Sequence, residues 1–213
     1  MRISIHHVRL GAAEFRIVRA ADPLTRALLV DQDQYLQMNM DAGAARYVGM
    51  LWLLAARSRR SIVYLPLRGG ALPSGGPLTG EGPLDLVLLH HSLRFKPHLW
   101  KRLRARLGQG AVGRVGILPP DPADDDGIDA ATRRRREYRD VFHQRVQAET
   151  LFMVGSAKAF RGTADLFFDL VRHGPGHRSA APWDSHYCTE LTGDGVLGRA
   201  RELHVEYTPR WIG

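Results

Sequence analysis

The side chains best suited to chemistry fall in two places. His90 and His91 close the apolar run Leu84–Leu89, and the alternating stretches HYCTEL (His186–Leu191) and ELHVEY (Glu202–Tyr207) carry two imidazoles, a thiol and several carboxylates. Imidazole is the side chain whose ordinary pKa lies nearest neutrality, so it can give or take a proton at physiological pH. If Leu84–Leu89 is a strand, successive side chains alternate faces and one of the two histidines points to each side of the sheet. If that strand has a parallel neighbour, both lie at the carboxyl end, where open α/β sheets bind ligands. The plainer alternative is a histidine satisfied by a backbone carbonyl.

In the C-terminal stretches, His186, Cys188 and Glu190 share one strand face, and Glu202, His204 and Glu206 share one face of the next. An antiparallel pairing centred near Val196 sets His186 opposite Glu206 and Cys188 opposite His204, within cross-strand reach. Such a group could bind zinc or act as an acid/base set. It could equally be the solvent side of a half-buried hairpin, and a one-residue slip would disperse it. The candidate catalytic residues are therefore His90, His91, His186, Cys188 and His204. No metal is assigned, and proton transfer of this kind needs no cofactor.

Two runs of cations offer basic helical surfaces. One holds Lys101, Arg102, Arg104 and Arg106, the other Arg133, Arg134, Arg135 and Arg136. With Lys+Arg at 30 against Asp+Glu at 22, the net charge of +8 attracts acidic partners over roughly a Debye length. An acidic helical protein such as an acyl carrier protein fits that field, and so does nucleic acid; the runs could also be simply solvated. Exposed aromatics are not interleaved with the cations, as single-strand binding would want, and no helix-turn-helix, zinc-finger or RNA-motif pattern occurs. Gly155, Ser156 and Lys158 stand where a strand turns into a helix, a place for an anion or for plain capping. Phosphate-loop, dinucleotide and nucleophile-elbow patterns are all missing.

The elements that must position these groups read as follows. Ile3–Leu10 and Phe15–Val18 form a hairpin about Gly11. Asp41 caps a helix with an inner stripe of Tyr47, Val48, Leu51, Trp52 and Ala55, which ends among Arg57, Arg59 and Arg60. Ile62–Leu67 is a strand, residues 68–83 a Gly/Pro-rich loop or lid, and Leu84–Leu89 a central strand covered on both faces. Pro97 opens a helix through Leu99, Trp100, Leu103 and Leu107 that Gly108 ends. Val112–Leu118 is a strand, 119–127 an acidic loop, and Asp129–Gln147 a helix lined by Tyr138, Val141, Phe142 and Val146. Leu151–Val154 is a strand, and Ser156 caps a helix that Gly174 and Pro175 stop. Strands at Ser185–Leu191 and Glu202–Thr208 finish the chain. Strand–helix alternation with hairpins at both ends predicts a single α/β domain, a mixed sheet with helices packed on it and antiparallel edges.

Composition narrows the class. The 213 residues are 44% apolar and 24% charged, as expected for one globular domain. Cys188 is the sole cysteine, so no intrachain disulfide forms and a reducing, cytoplasmic setting is expected. The polar–apolar alternation of Met1–Leu10 is unlike a signal peptide, and the most apolar window, Tyr47–Ala56, is about half of the ~20 residues a spanning helix needs. No membrane association is expected. Trp100 and Trp211 offer surfaces for a homodimer, or serve as core and ordinary surface.

The stretch HHSLRFKPHLWKRLRARLG, His90–Gly108, together with HYCTEL and ELHVEY, resembles a family of actinobacterial proteins of uncharacterised activity associated with specialised-metabolite gene clusters, including polyketide ones. The resemblance spans the chain from about Leu84 onward and implies work on a carrier-bound acyl chain. The leading expectation is an acid/base enzyme of isomerase, cyclase or dehydratase type, with His90 or His91 moving the proton and the arginine-rich helices docking an acidic carrier. The alternatives are a nucleic-acid-binding or regulatory protein and a non-catalytic accessory partner.

Overall fold

The computed structural model describes residues 1–74, 81–116, 140–180, 186–191, 196–197 and 200–212. The chain opens with β1 (Arg2–Leu10) and β2 (Ala13–Ala20), an antiparallel pair whose turn uses Gly11 at φ 63°. Only a residue without Cβ adopts that conformation freely. β3 (Ala27–Asp31) and β4 (Leu36–Met40) follow as a second antiparallel pair, one that the sequence reading does not anticipate.

Asp41 then caps α1 (Ala42–Arg57), its side chain accepting from the Ala44 amide at 2.7 Å, as expected. Val48, Leu51, Trp52 and Ala55 are buried along the expected stripe, but so are Leu53, Leu54 and Ala56. A helix apolar on most of its circumference belongs in the middle of a core. α1 packs against β2, β5 (Ser61–Leu65) and β8 (Asp85–His90) of one sheet and against β4 of another. Short β6 (Leu72–Pro73) and β7 (Glu81–Pro83) lie in the stretch expected to be a loop or lid, of which residues 75–80 fall outside the described residues.

Beyond β8 come two 3-10 turns, His91–Leu93 and Pro97–Leu99, and the short helix α2 (Trp100–Arg104). The helix is a turn shorter than the apolar spacing implies, because Trp100 and Leu103 alone are buried beneath it. β9 (Ala111–Arg114) is an exposed edge strand. β10 (His143–Val146) pairs with β11 (Thr150–Gly155), followed by α3 (Ala157–Thr163) and α4 (Asp165–Ala180). β12 (Cys188–Leu191), β13 (Leu203–Tyr207) and β14 (Trp211–Ile212) complete the described chain.

The domain is α/β, as expected, with its strands divided between a seven-stranded mixed sheet ordered β10-β11-β8-β5-β2-β1-β9 and a five-stranded mixed sheet ordered β12-β13-β4-β3-β7. β14 and β6 pair apart from both. β8 lies inside the larger sheet, parallel to β11 and antiparallel to β5. Trp52 of α1 centres the main core, with its ring 5.0–5.6 Å from those of Phe142, Phe160 and Phe167 and Nε1 donating to Thr163 Oγ1 at 2.9 Å. The far face of the larger sheet carries a smaller cluster of Tyr64, Val87, Phe152 and Trp100. Trp100 is therefore core and offers no surface to a second copy, whereas Trp211 is half-buried, with its indole donating to Thr208 O at 2.8 Å.

Two expected helices are corrected. The segment expected to run as a helix from Asp129 to Gln147 is a strand over His143–Val146, because pairing with β11 overrides a weak helical stripe; residues 129–139, with Arg133–Arg136, lie outside the described residues, as does the 119–127 loop. α4 does not stop at Gly174 and Pro175 but continues to Ala180. Gly174 is there because the helix meets Tyr207: a Cβ at that position would sit 2.6 Å from the ring's Cγ. The strand expected over Val112–Leu118 is paired only over Ala111–Arg114, and residues 117–118 are not described.

Candidate functional site

At the carboxyl end of β8, His90 stands opposite Gly155 of the parallel strand β11, the arrangement that the ligand-site argument requires. The two histidines have separate fates. His90 is 4% exposed, and its Nδ1 accepts from the Ser92 amide at 3.2 Å and lies 2.8 Å from Ser92 Oγ, so it caps the 3-10 turn that follows. A ring that accepts at Nδ1 carries its proton on Nε2. Burial, with help from His91 and Arg59, pushes the His90 pKa below its ordinary value, which favours the uncharged ring. His91 is exposed, with its ring centroid 4.6 Å from that of His90 in an edge-to-face contact.

Exposed cations occur on the two segments that adjoin His91. Arg59 and Arg60 precede β5, whose start adjoins the end of β8, and Ser92 Oγ lies 3.4 Å from Arg59 O. Arg94 and Lys96 follow on the other side; all four side chains are exposed. Of the expected docking residues, Lys101, Arg102 and Arg106 are exposed, whereas Arg104 is turned inward. It donates to Asp85 Oδ2 at 3.1 Å and to Glu149 Oε2 at 3.3 Å.

His186, Cys188 and His204 lie on the smaller sheet, apart from His90 and His91, so the five candidates make two groups and not one site. The hairpin register is displaced by two residues from expectation: Cys188 faces Glu206 and Glu190 faces His204. The cause is the connection, in which Val196 and Leu197 are buried and Phe142 donates its amide to Val196 O at 2.6 Å, so the pairing centres one residue later. A shift of two preserves the face, and the polar group survives. His186, Cys188 and His204 each bring a ligand-type atom within 4.8 Å of the others, as do Glu190, Glu202 and His204. His204 Nδ1 lies 3.1 Å from Glu190 Oε1, and the His186 and His204 ring centroids are 5.4 Å apart. Burial, then Glu190 and Glu206, raise the Cys188 thiol pKa, which disfavours the thiolate a nucleophile needs.

Matched against protein-family models, curated proteins and solved structures, the chain gives no match. No helix among the described residues is long and apolar enough to cross a membrane.

Two features escape the sequence reading. Parallel pairing of β13 with β4 brings Gln37 beside His204 and lets Gln37 Nε2 donate to Glu206 Oε2 at 3.1 Å. Ser4 and His6 form a pair in which Ser4 Oγ donates to His6 Nε2 at 2.9 Å while His6 Nδ1 donates to Gly108 O at 2.9 Å. The i, i+2 spacing on a strand was the available signal. At 7% and 4% exposure the pair is closed off, and it ties β1 to the segment after α2. Ser156, in contrast, is the helix cap expected from the sequence: its Oγ accepts from the Ala159 amide at 3.0 Å.

Proposed function

We propose that the protein is a small acid/base enzyme acting on a carrier-bound acyl or polyketide-type thioester, with His91 as the group that moves the proton. The observation that carries this reading is the asymmetric pair at the end of β8: an exposed imidazole resting on a buried, neutral one whose orientation Ser92 fixes. His91 abstracts a proton from the carbon beside the thioester carbonyl and returns it at a second carbon, an isomerisation that consumes no other reactant. The enolate formed in between is an anion, and Arg59, Arg60, Arg94 and Lys96 supply the positive field that lowers its energy. His90 acts through His91 as a positioning residue. Lys101, Arg102 and Arg106 extend the basic surface toward an acidic carrier, whose approach they steer.

The test is solvent-deuterium exchange into acyl groups borne by an acyl carrier protein, followed by mass spectrometry. Exchange that is lost in His91→Ala, retained in part in His90→Asn and weakened by salt supports the reading. Exchange unchanged in His91→Ala overturns it. Binding to random duplex DNA with a steep salt slope, in the absence of exchange, favours the nucleic-acid alternative instead.

A further inference from the structure

The outer face of the smaller sheet gathers carboxylates, imidazoles and a thiol. β4 and β13 alternate strictly there: Leu36, Met38, Met40, Leu203 and Val205 enter the core, leaving Gln37, His204 and Glu206 on the other side. β12 adds Cys188 and Glu190 to that side, and His186, just before the strand, brings its ring back beside His204. In a chain of net charge +8, this face gathers Glu190, Glu202 and Glu206 around two imidazoles and a thiol.

We propose that His186, Cys188 and His204 bind a divalent d-block ion of the zinc class, with Glu190 as the outer partner that orients His204. Three arguments support this. The donors are two nitrogens and one sulfur, a set that suits zinc or cobalt and not magnesium or calcium, which take oxygen ligands. The donor atoms already lie within 4.8 Å of one another; ligands about 2.0–2.3 Å from a tetrahedral ion stand roughly 3.5 Å apart, so modest side-chain rotation closes the set. His204 and Glu190 have the relation that accompanies metal-bound histidines. An ionised carboxylate only accepts, so Nδ1 carries the proton toward Glu190 Oε1 at 3.1 Å and leaves the Nε2 lone pair for the ion. His186 is exposed and Cys188 and His204 are half-buried, so the site opens to solvent and a three-residue set leaves a fourth position for water. This site is separate from the proton-transfer pair on β8 and does not depend on it.

The probe is Co²⁺ added to chelator-stripped full-length protein and followed by visible and near-ultraviolet absorption. A tetrahedral ion bound through sulfur gives intense ligand-field bands and a thiolate-to-metal charge-transfer band, saturating at one equivalent, and Zn²⁺ displaces both. Cys188→Ser should remove the charge-transfer band, and His204→Gln should weaken binding beyond detection at micromolar protein. Glu190→Gln should keep the band while weakening affinity by about 10–100-fold. His7→Gln, on the remote strand β1, should bind like the parent. Circular dichroism on each variant separates loss of the site from loss of the fold. A parent that shows no cobalt spectrum, or a folded Cys188→Ser variant that keeps the parent's spectrum, overturns the proposal.

Discussion

Arg104 Nη1 donates to Asp85 Oδ2 across 3.1 Å, with the carboxylate side chain only 3% exposed. Asp85 also accepts from Tyr64 Oη at 2.9 Å, from the Leu67 and Arg68 amides and from Arg68 Nε, so one buried carboxylate joins β8, α2 and the segment leaving β5. The surroundings leave their mark on Tyr64, whose pKa is driven upward by burial first and then by Asp85. Removing one partner from such a group leaves the others desolvated and unpaired. Asp85→Ala should therefore cost about 3–5 kcal/mol in urea unfolding. Arg104→Ala should also lower the unfolding midpoint, while Lys101→Ala and Arg102→Ala stay within about 0.5 kcal/mol of the parent. A stable Arg104→Ala variant with weakened carrier binding would return Arg104 to the docking surface.

Gly174 and Tyr207 test the course of α4. Helix propensity alone says that Gly→Ala in a helix interior gains about 1 kcal/mol. Here the new methyl would meet Tyr207 at Cγ, Cδ2 and Cβ, all under 3.0 Å, and those atoms cannot swing away as a chain terminus could. Gly174→Ala should therefore destabilise, by about 1–3 kcal/mol, and a higher melting temperature would contradict the packing.

These two relationships also show where the sequence was legible. The hairpin about Gly11, the Asp41 and Ser156 caps and the interior strand ending in His90 rest on local chemistry, and each can be read from a handful of adjacent residues. β3 and β4 have no counterpart in the sequence reading although Leu36, Met38 and Met40 alternate with Gln37 and Asn39; what that local pattern leaves out is the partner strand, β13, far along the chain. The helical spacing over His143–Val146 misleads in a similar way, since β11 and not the segment's own propensity makes it a strand. Within the candidate sites, alternation correctly put His186, Cys188 and His204 on one face, but the register depended on buried Val196 and Leu197, whose packing no spacing rule reveals. Nor could the pattern HH tell the capping histidine from the exposed one.

That last distinction is measurable without any substrate. His90→Ala removes the acceptor for the Ser92 amide and opens a gap beneath the turn, and should cost about 1–2 kcal/mol. His90→Asn, whose side-chain oxygen can take the same amide, should recover part of the loss. His91→Ala should leave the unfolding midpoint within about 0.5 kcal/mol of the parent. If the order of the two alanine variants is reversed, His91 is the structural ring and the proton-transfer proposal fails.

Acid should weaken the fold in two separable stages. His6 and His90 both have pKa values lowered from 6.5, chiefly by burial, with Arg19 adding to the effect at His6 and the His91 and Arg59 charges at His90. Between the ordinary value and the lowered one, the unfolded chain binds protons that the folded chain refuses, so the stability these rings contribute is complete above about pH 6.5 and is lost as pH falls toward their folded values. Asp31 and Glu149 act in a lower window. Arg201 bonds to Asp31, and Arg104 and Arg68 to Glu149, and these hold both carboxyls below their ordinary 3.8 and 4.5. Their contribution is present above those values and lost as pH drops through the depressed ones. Urea midpoints taken from pH 8 downward should be flat, then fall from about pH 6.5, and fall again below about pH 4.5. His6→Gln should flatten the first decline and leave the second. A first decline that is the same in His6→Gln and His90→Asn as in the parent would mean that neither ring is held neutral by burial, and the fixed, uncharged partner proposed beneath His91 would lose its physical basis.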